Sequence, residues 1–420
     1  MNNKPPARLW ENFTALGIVQ GTNFILPLLV IPYVIRVIGA DGFGIVSIAQ
    51  VIMMFLSTIA DFGFNLTATR EISLNRENAT VVSRVFFSVV FTRLLICAVL
   101  FLLLLAALAL MPQWQEYSRL YLLAFVTVLG QSLLMNWLFQ GMERMRLVMY
   151  ISLLARIVFV ALVFLFIRTK EDKDYFIFFT GVGNLLAGLM SIWVAVLVFR
   201  IRWVMPSWAR IWKELKDGWH IMVSNLSVSV FMYTNVVILG VFASKEMVGY
   251  YSVAEKVVMA ARQLLSVYFQ VIYPQVVQLA QRSKQELHGF LRKNYLPFLG
   301  AVLMGCTVLL LFPEFIVSIF LHENQAVAAV YLRVMSFVPF VVCLNIPVYQ
   351  LLLAHNEKKS LLRIFLTGSL INIIMNSLLA HWLGAMGTCI TVVCTELLIT
   401  TALVMAANKK ENTRPLRLFL

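Results

Sequence analysis

The sequence predicts an all-α, polytopic membrane protein of about twelve transmembrane helices, two six-helix bundles in a parallel repeat around a central cavity. Three observations predict it. Hydrophobic residues fill 61% of the 420 positions and charged residues only 13%, whereas soluble domains average about a quarter charged. Twelve segments are long and apolar enough to cross a bilayer, which takes about 20 residues of helix. A stretch beginning at Gly44 recurs at Gly249, each copy opening the second crossing of its half.

The first half holds segments 13–35, 45–64, 85–110, 120–139, 147–167 and 175–199. "MNNKPPARLWEN" puts cations before an apolar run, as a signal peptide would. No small-residue cleavage site follows and the run is long enough to span, so it reads as an uncleaved helix. Within it Pro27 and Pro32 each remove a helical donor, which membrane helices tolerate where a cavity or neighbour satisfies the freed carbonyls. A bent helix with polar Gln20, Thr22 and Asn23, ending on Arg36 before Gly42 and Gly44, is expected to work as a gate or hinge.

Residues 201–218 form the longest polar connection in the middle of the chain. Ser207 can cap a short helix in which Trp208, Ile211, Trp212 and Leu215 share a face. Tryptophan beside lysine favours the headgroup zone, so an interfacial linker between the halves is expected. The second half holds 219–242, 250–273, 295–312, 327–353, 361–383 and 386–407. The expected domains are therefore 1–200, the linker 201–218, 219–407, and a tail 408–420. "GIVSIAQVIMM" aligns with "GYYSVAEKVVM": Gly44, Ser47 and Ala49 match Gly249, Ser252 and Ala254 at one offset. Transporters use such repeats, with the substrate path between them.

The net charge of +14 sits mostly in connections between apolar runs, which fits membrane topology and anionic headgroups; no basic patch with interleaved aromatics suggests nucleic acid. With the N-terminus in the cytoplasm, the inner connections outnumber the outer ones in cations by roughly four to one, so both termini are expected inside. Charges within the apolar segments are costly, at least ~2.5–3.5 kcal/mol for a cation at mid-depth. Arg262 lies about twelve residues from either end of its segment, roughly 18 Å deep. Arg36, Arg93, Arg156, Arg333 and Lys256 are shallower and can also snorkel to headgroups. Against these six cations stand Asp61, Glu255 and Glu396. The interior excess is positive, which suits an anionic cargo; Asp61 can alternatively pair locally with Arg70. The five cysteines and five histidines form no ligand cluster, and no phosphate-binding loop, zinc motif or nucleophile elbow occurs. No metal, cofactor or catalytic residue is expected.

"QGTNFILPLLVIPYVIRVIGADGFGIVSIAQVI", "DFGFNLTATREIS" and "WLFQGMERM" resemble the polysaccharide or O-antigen flippases (Wzx-type), lipid-linked oligosaccharide translocases of the multidrug, oligosaccharidyl-lipid and polysaccharide exporter superfamily. Pro32-Tyr33-x-x-Arg36 with the Gly42/Gly44 corner is the most specific part, and "NVVILGVFASKEMVGYYSVAEKV" and "LGAMGTCITVVCTELL" extend the likeness along the chain. The resemblance implies a non-enzymatic transporter of the bacterial inner membrane, moving undecaprenyl-diphosphate-linked repeat units from the cytoplasmic to the periplasmic leaflet by alternating access in lipopolysaccharide biosynthesis. Membrane lipids, the polysaccharide polymerase and the chain-length regulator are its candidate partners. It also implies coupling to a proton or sodium gradient, for which Asp61, Glu255 and Glu396 are candidates. The competing readings are an ion-coupled small-molecule antiporter of the same superfamily and a membrane-embedded polymerase or ligase.

Overall fold

The computed structural model describes residues 7–282, 284–354 and 357–409. Among them every regular element is helical. The chain divides into two compact units: Met1–Gly42 with Val46–Ser229, and Phe43–Ile45 with Val230–Leu420. Most of the expected tail, and the side chains of Gln20, Thr22, Asn23, Pro27 and Pro274, lie outside the described residues.

The first unit begins with α1 (Ala7–Asp61), a 55-residue run that joins the first two expected segments. Its one non-helical residue is Gly39, with φ 78° and ψ 169°. A side chain there would be strained, and its Cβ would lie 2.8 Å from Asp41 Oδ1, so the "GADGFG" corner turns at a position only glycine fills cheaply. Helix continues through Pro27 and Pro32; the interruption comes at the glycine corner instead. Then come α2 (Phe64–Leu74), α3 (Ala79–Leu110), α4 (Pro112–Gln115), α5 (Ser118–Ser132), α6 (Asn136–Gly141), α7 (Met145–Phe166) and α8 (Lys173–Phe199). α9 (Trp208–Phe242) begins in the expected linker and continues as the seventh segment.

Two of the quoted motifs meet in this unit. Thr69 Oγ1 in "DFGFNLTATREIS" donates to the Trp137 carbonyl in "WLFQGMERM" at 3.1 Å, and Arg76 Nε donates to the Gly141 carbonyl at 2.6 Å. Phe64, Phe86, Trp137 and Phe139 form the core beneath them. α5 and α8 approach backbone to backbone. A Cβ on Gly181 would lie 2.9 Å from Thr127 N, and one on Gly188 2.8 Å from Leu133 Cβ. Without a strong hydrophobic drive between helices in lipid, small residues that admit close packing supply the association.

In the second unit α10 (Lys245–Arg282) and α11 (Lys284–Leu311) are long, followed by α12 (Pro313–Ser318), α13 (Gln325–Met335), α14 (Val338–Ala354), α15 (Lys358–Leu383) and α16 (Ala385–Asn408). α12 opens on Pro313, and both Pro313 and Val317 are buried. Gly44 clusters with this unit, where a Cβ would meet the Lys245 carbonyl and lie 2.8 Å from Gly249 N. Its interior is unusually polar for a membrane protein. Asn376 Nδ2 donates to Asn235 Oδ1 at 2.9 Å and Asn372 Nδ2 to Thr395 Oγ1 at 3.2 Å, all four residues being buried.

Nine helical stretches among the described residues are long and apolar enough to cross a membrane, and the bent pair Trp208–Val230 with Met232–Phe242 makes a tenth. Twelve segments were expected. The first two share one stretch across Gly39, and α10, rich in glutamine and carrying Glu255, Lys256 and Arg262, lies outside the ten. Leu102 and Leu103 of α3, Leu197 of α8 and Leu370 of α15 are exposed, which water would penalise and lipid welcomes. The protein is a multi-pass membrane protein.

Candidate functional site

The first unit encloses a cavity of about 660 Å³. Fourteen of its nineteen lining residues are polar, so in a chain this apolar the cavity is a hydrated site rather than a packing defect. Its walls are helical stripes. Gln50, Ser57, Thr58 and Asp61 come from α1 at a spacing that keeps them on one face, Thr127 and Gln131 from α5, Thr180 and Asn184 from α8, and Asn225 and Ser229 from α9. The glycine contacts between α5 and α8 bring the Thr127/Gln131 and Thr180/Asn184 pairs together.

Arg93 and Asp61 form its charged end. Arg93 is 1% exposed although it sits in the middle third of α3. Its Nη2 pairs with Asp61, and its Nη1 donates to the carbonyls of Leu134 at 3.1 Å and Ser132 at 3.3 Å. Those carbonyls lie where α5 stops and α6 has not begun, and a helix end leaves carbonyls without intrahelical partners. One guanidinium therefore neutralises a carboxylate and caps a broken helix, using its fork of donors. The Phe64 ring lies 5.8 Å below it. Asp61 reaches this position because α1 ends there and the chain turns through Phe62 and Gly63, both with positive φ. Asp61 takes Arg93 as its partner, not the nearby exposed Arg70.

Arg156 of α7 also lines the cavity. With Asp61 negative and Arg93 and Arg156 positive, the lining carries a net charge of one positive unit. Ser57 Oγ, Thr127 Oγ1 and Asn136 Oδ1 belong to lining residues but are themselves buried, with no protein hydrogen-bond partner. A buried hydroxyl or amide left that way costs about 1–3 kcal/mol unless water or cargo satisfies it. The cavity can thus hold an anionic group beside a hydroxyl-rich one. No aromatic side chain among the described residues lines it.

The other expected residues lie elsewhere. Arg262 pairs with Glu396 in the second unit. With Glu255, which accepts from the Tyr251 hydroxyl at 3.3 Å, it borders a void of only about 20 Å³. That is room for little more than one water. Lys256 is half-buried on the same helix. Arg333 is exposed and its Nη2 lies 2.7 Å from Glu314. Arg36 is exposed, whereas Gly42 and Gly44 are buried. Its neighbour Tyr33 donates its hydroxyl to the Ile167 carbonyl at 2.7 Å, tying the Pro32-Tyr33 motif to the end of α7. Of the six cations, then, Arg93 and Arg156 share the cavity with Asp61.

The neutral polar residues of that cavity escaped the sequence reading, which followed charges. Their signal was present: Thr127/Gln131 and Thr180/Asn184 are polar pairs at i, i+4 in otherwise apolar segments.

A family model described as "Polysaccharide biosynthesis protein" matches residues 9–280. Two curated proteins align over nearly the whole chain. The "Putative O-antigen transporter" of Escherichia coli (strain K12) is 28% identical over 400 residues, 94% of this chain and 96% of that protein. Its namesake from Shigella dysenteriae is 26% identical over 411 residues, 95% and 100%. Among solved structures, an inward-facing multidrug resistance MATE family transporter of the MOP superfamily superposes with a TM-score of 0.69 at 14% identity, covering 97% of this chain and 98% of that one. The lipid II flippase MurJ in its inward closed conformation gives 0.66 at 11%, covering 94% and 87%. Identities this low speak for a shared fold alone.

Proposed function

Since the chain belongs to the polysaccharide biosynthesis protein family, we propose that it is a flippase for undecaprenyl-diphosphate-linked O-antigen repeat units in the bacterial inner membrane. Relatives named O-antigen transporters support a transporter role; the flippase activity, the cargo, the direction and the termini are our reading. The repeat unit moves from the cytoplasmic to the periplasmic leaflet by alternating access, with both termini in the cytoplasm.

The observation that carries this reading is the cavity of the first unit, which is polar, hydroxyl- and amide-lined and net positive. A diphosphate cannot cross hydrocarbon unaided, and guanidinium groups suit its oxygens. Arg156 serves the diphosphate, Arg93 holds Asp61 and the helix end beside it, the stripes of α5 and α8 serve sugar hydroxyls, and the polyprenyl chain stays in lipid. The same lining disfavours an antiporter for organic cations, which would call for acidic or aromatic walls. Asp61, at the cavity, and Glu255 and Glu396, in the second unit, are the acids available for coupling to an ion gradient.

Proteoliposomes test the reading. A fluorescent undecaprenyl-diphosphate oligosaccharide placed in one leaflet should reach the other faster than in protein-free vesicles, and undecaprenol-linked sugar without phosphate should not. Equal rates with and without correctly folded protein would sink it.

A further inference from the structure

The start of α9 carries an exposed aromatic stripe, touched at its far end where the Phe62 ring lies 6.2 Å from that of Trp219. Trp208, Trp212 and Trp219 are 75%, 73% and 52% exposed. At 3.6 residues per turn they fall within about 40° of one another around the helix. Exposed Lys216 falls about 40° beyond Trp212 around the helix and exposed Lys213 about 100° beyond it, and exposed Arg200 and Arg202 precede the stripe. Asp217 is the one exposed acid between 200 and 219.

The opposite side of the helix is fastened. Arg210 Nη2 lies 2.6 Å from Glu71 of α2 and 2.7 Å from Glu214, and Ile211 and Glu214 are buried. A Cβ on Gly63 would lie 2.7 Å from the Ile221 Cβ and one on Gly218 would meet the Phe62 carbonyl, so the turn ahead of α2 packs closely on α9. Ahead of the helix, Arg202 N donates to Ser83 Oγ at 3.0 Å and the Trp203 ring meets Phe87 edge-on at 4.6 Å. The helix cannot roll its tryptophans inward without breaking these contacts. It also runs on without interruption to Val230 as part of a candidate span, which holds the stripe at a membrane boundary.

Indole rings prefer that boundary, and lysines beside them reach lipid phosphates. We propose that this face is a docking site for anionic phospholipid headgroups, the tryptophans seated at the acyl boundary and Lys213 and Lys216 on the phosphates. The site is separate from the cavity and does not depend on the cargo.

The test uses the full chain in phosphatidylcholine bilayers, with Trp114, Trp193 and Trp382 replaced by Phe so that fluorescence weights this face. Brominated phosphatidylglycerol and brominated phosphatidylcholine are compared as quenchers. Phosphatidylglycerol should bind preferentially, the preference falling about five-fold for each lysine removed in Lys213→Gln and Lys216→Gln, and falling also in high salt. Lys293→Gln, on α11, should leave it intact. Equal quenching by the two lipids overturns the proposal. So does a preference indifferent to the lysine pair, or one that Lys293→Gln lowers equally.

Discussion

Arg93 is the residue on which the first unit's interior turns. Removing its counterion in Asp61→Ala leaves a guanidinium buried with only two carbonyls, and breaking a buried pair typically costs about 3–5 kcal/mol. Thermal unfolding in detergent should show a markedly lower Tm for Asp61→Ala, and a larger fall for Arg93→Met, which strands Asp61 and the helix-end carbonyls together. Arg156→Gln should behave differently. It should weaken binding of the diphosphate headgroup about ten-fold or more, the scale of a charged hydrogen bond, measured on variant protein that remains folded. The sequence told which charges were costly to bury but not which ones meet. Arg262 seemed best placed for a cavity by depth, yet depth along a helix says nothing of the rotational setting that aims it at Glu396.

Helix by helix, apolar length reported most of the architecture, because a bilayer sets the length a span must reach. Where charge and glutamine dilute the apolar run, as in α10, length alone stops being informative. A bend in α1 is expected at Pro27 and Pro32, through which helix continues, and a non-helical residue follows at Gly39. A proline loses one donor but keeps helical φ, while Gly39 adopts a φ that a helix excludes. The close approach of α5 and α8 was not legible, since a glycine in an apolar segment does not name its partner. Substituting it tests the packing: Gly181→Val and Gly188→Val should each cost about 1–3 kcal/mol through overpacking, read as lower Tm. They should also displace Thr180 and Asn184, slowing lipid exchange beyond what the stability loss explains.

At the scale of the whole molecule, matched sequence stretches at Gly44 and Gly249 announced a repeat, and the chain does fall into two compact units. The units are chemically unlike. The first holds the net-positive cavity, and the second buries amides, hydroxyls and the Arg262–Glu396 pair. Our proposal places headgroup recognition in the first unit. Photocrosslinking measures this directly: an undecaprenyl-diphosphate oligosaccharide with a photoreactive sugar is bound to the reconstituted protein and the labelled peptides are identified. Labelling should concentrate on α5 and α8 around Thr127–Gln131 and Thr180–Asn184, and competing unlabelled lipid diphosphate should remove it. Labelling confined to α10 and α16 of the second unit would contradict the assignment.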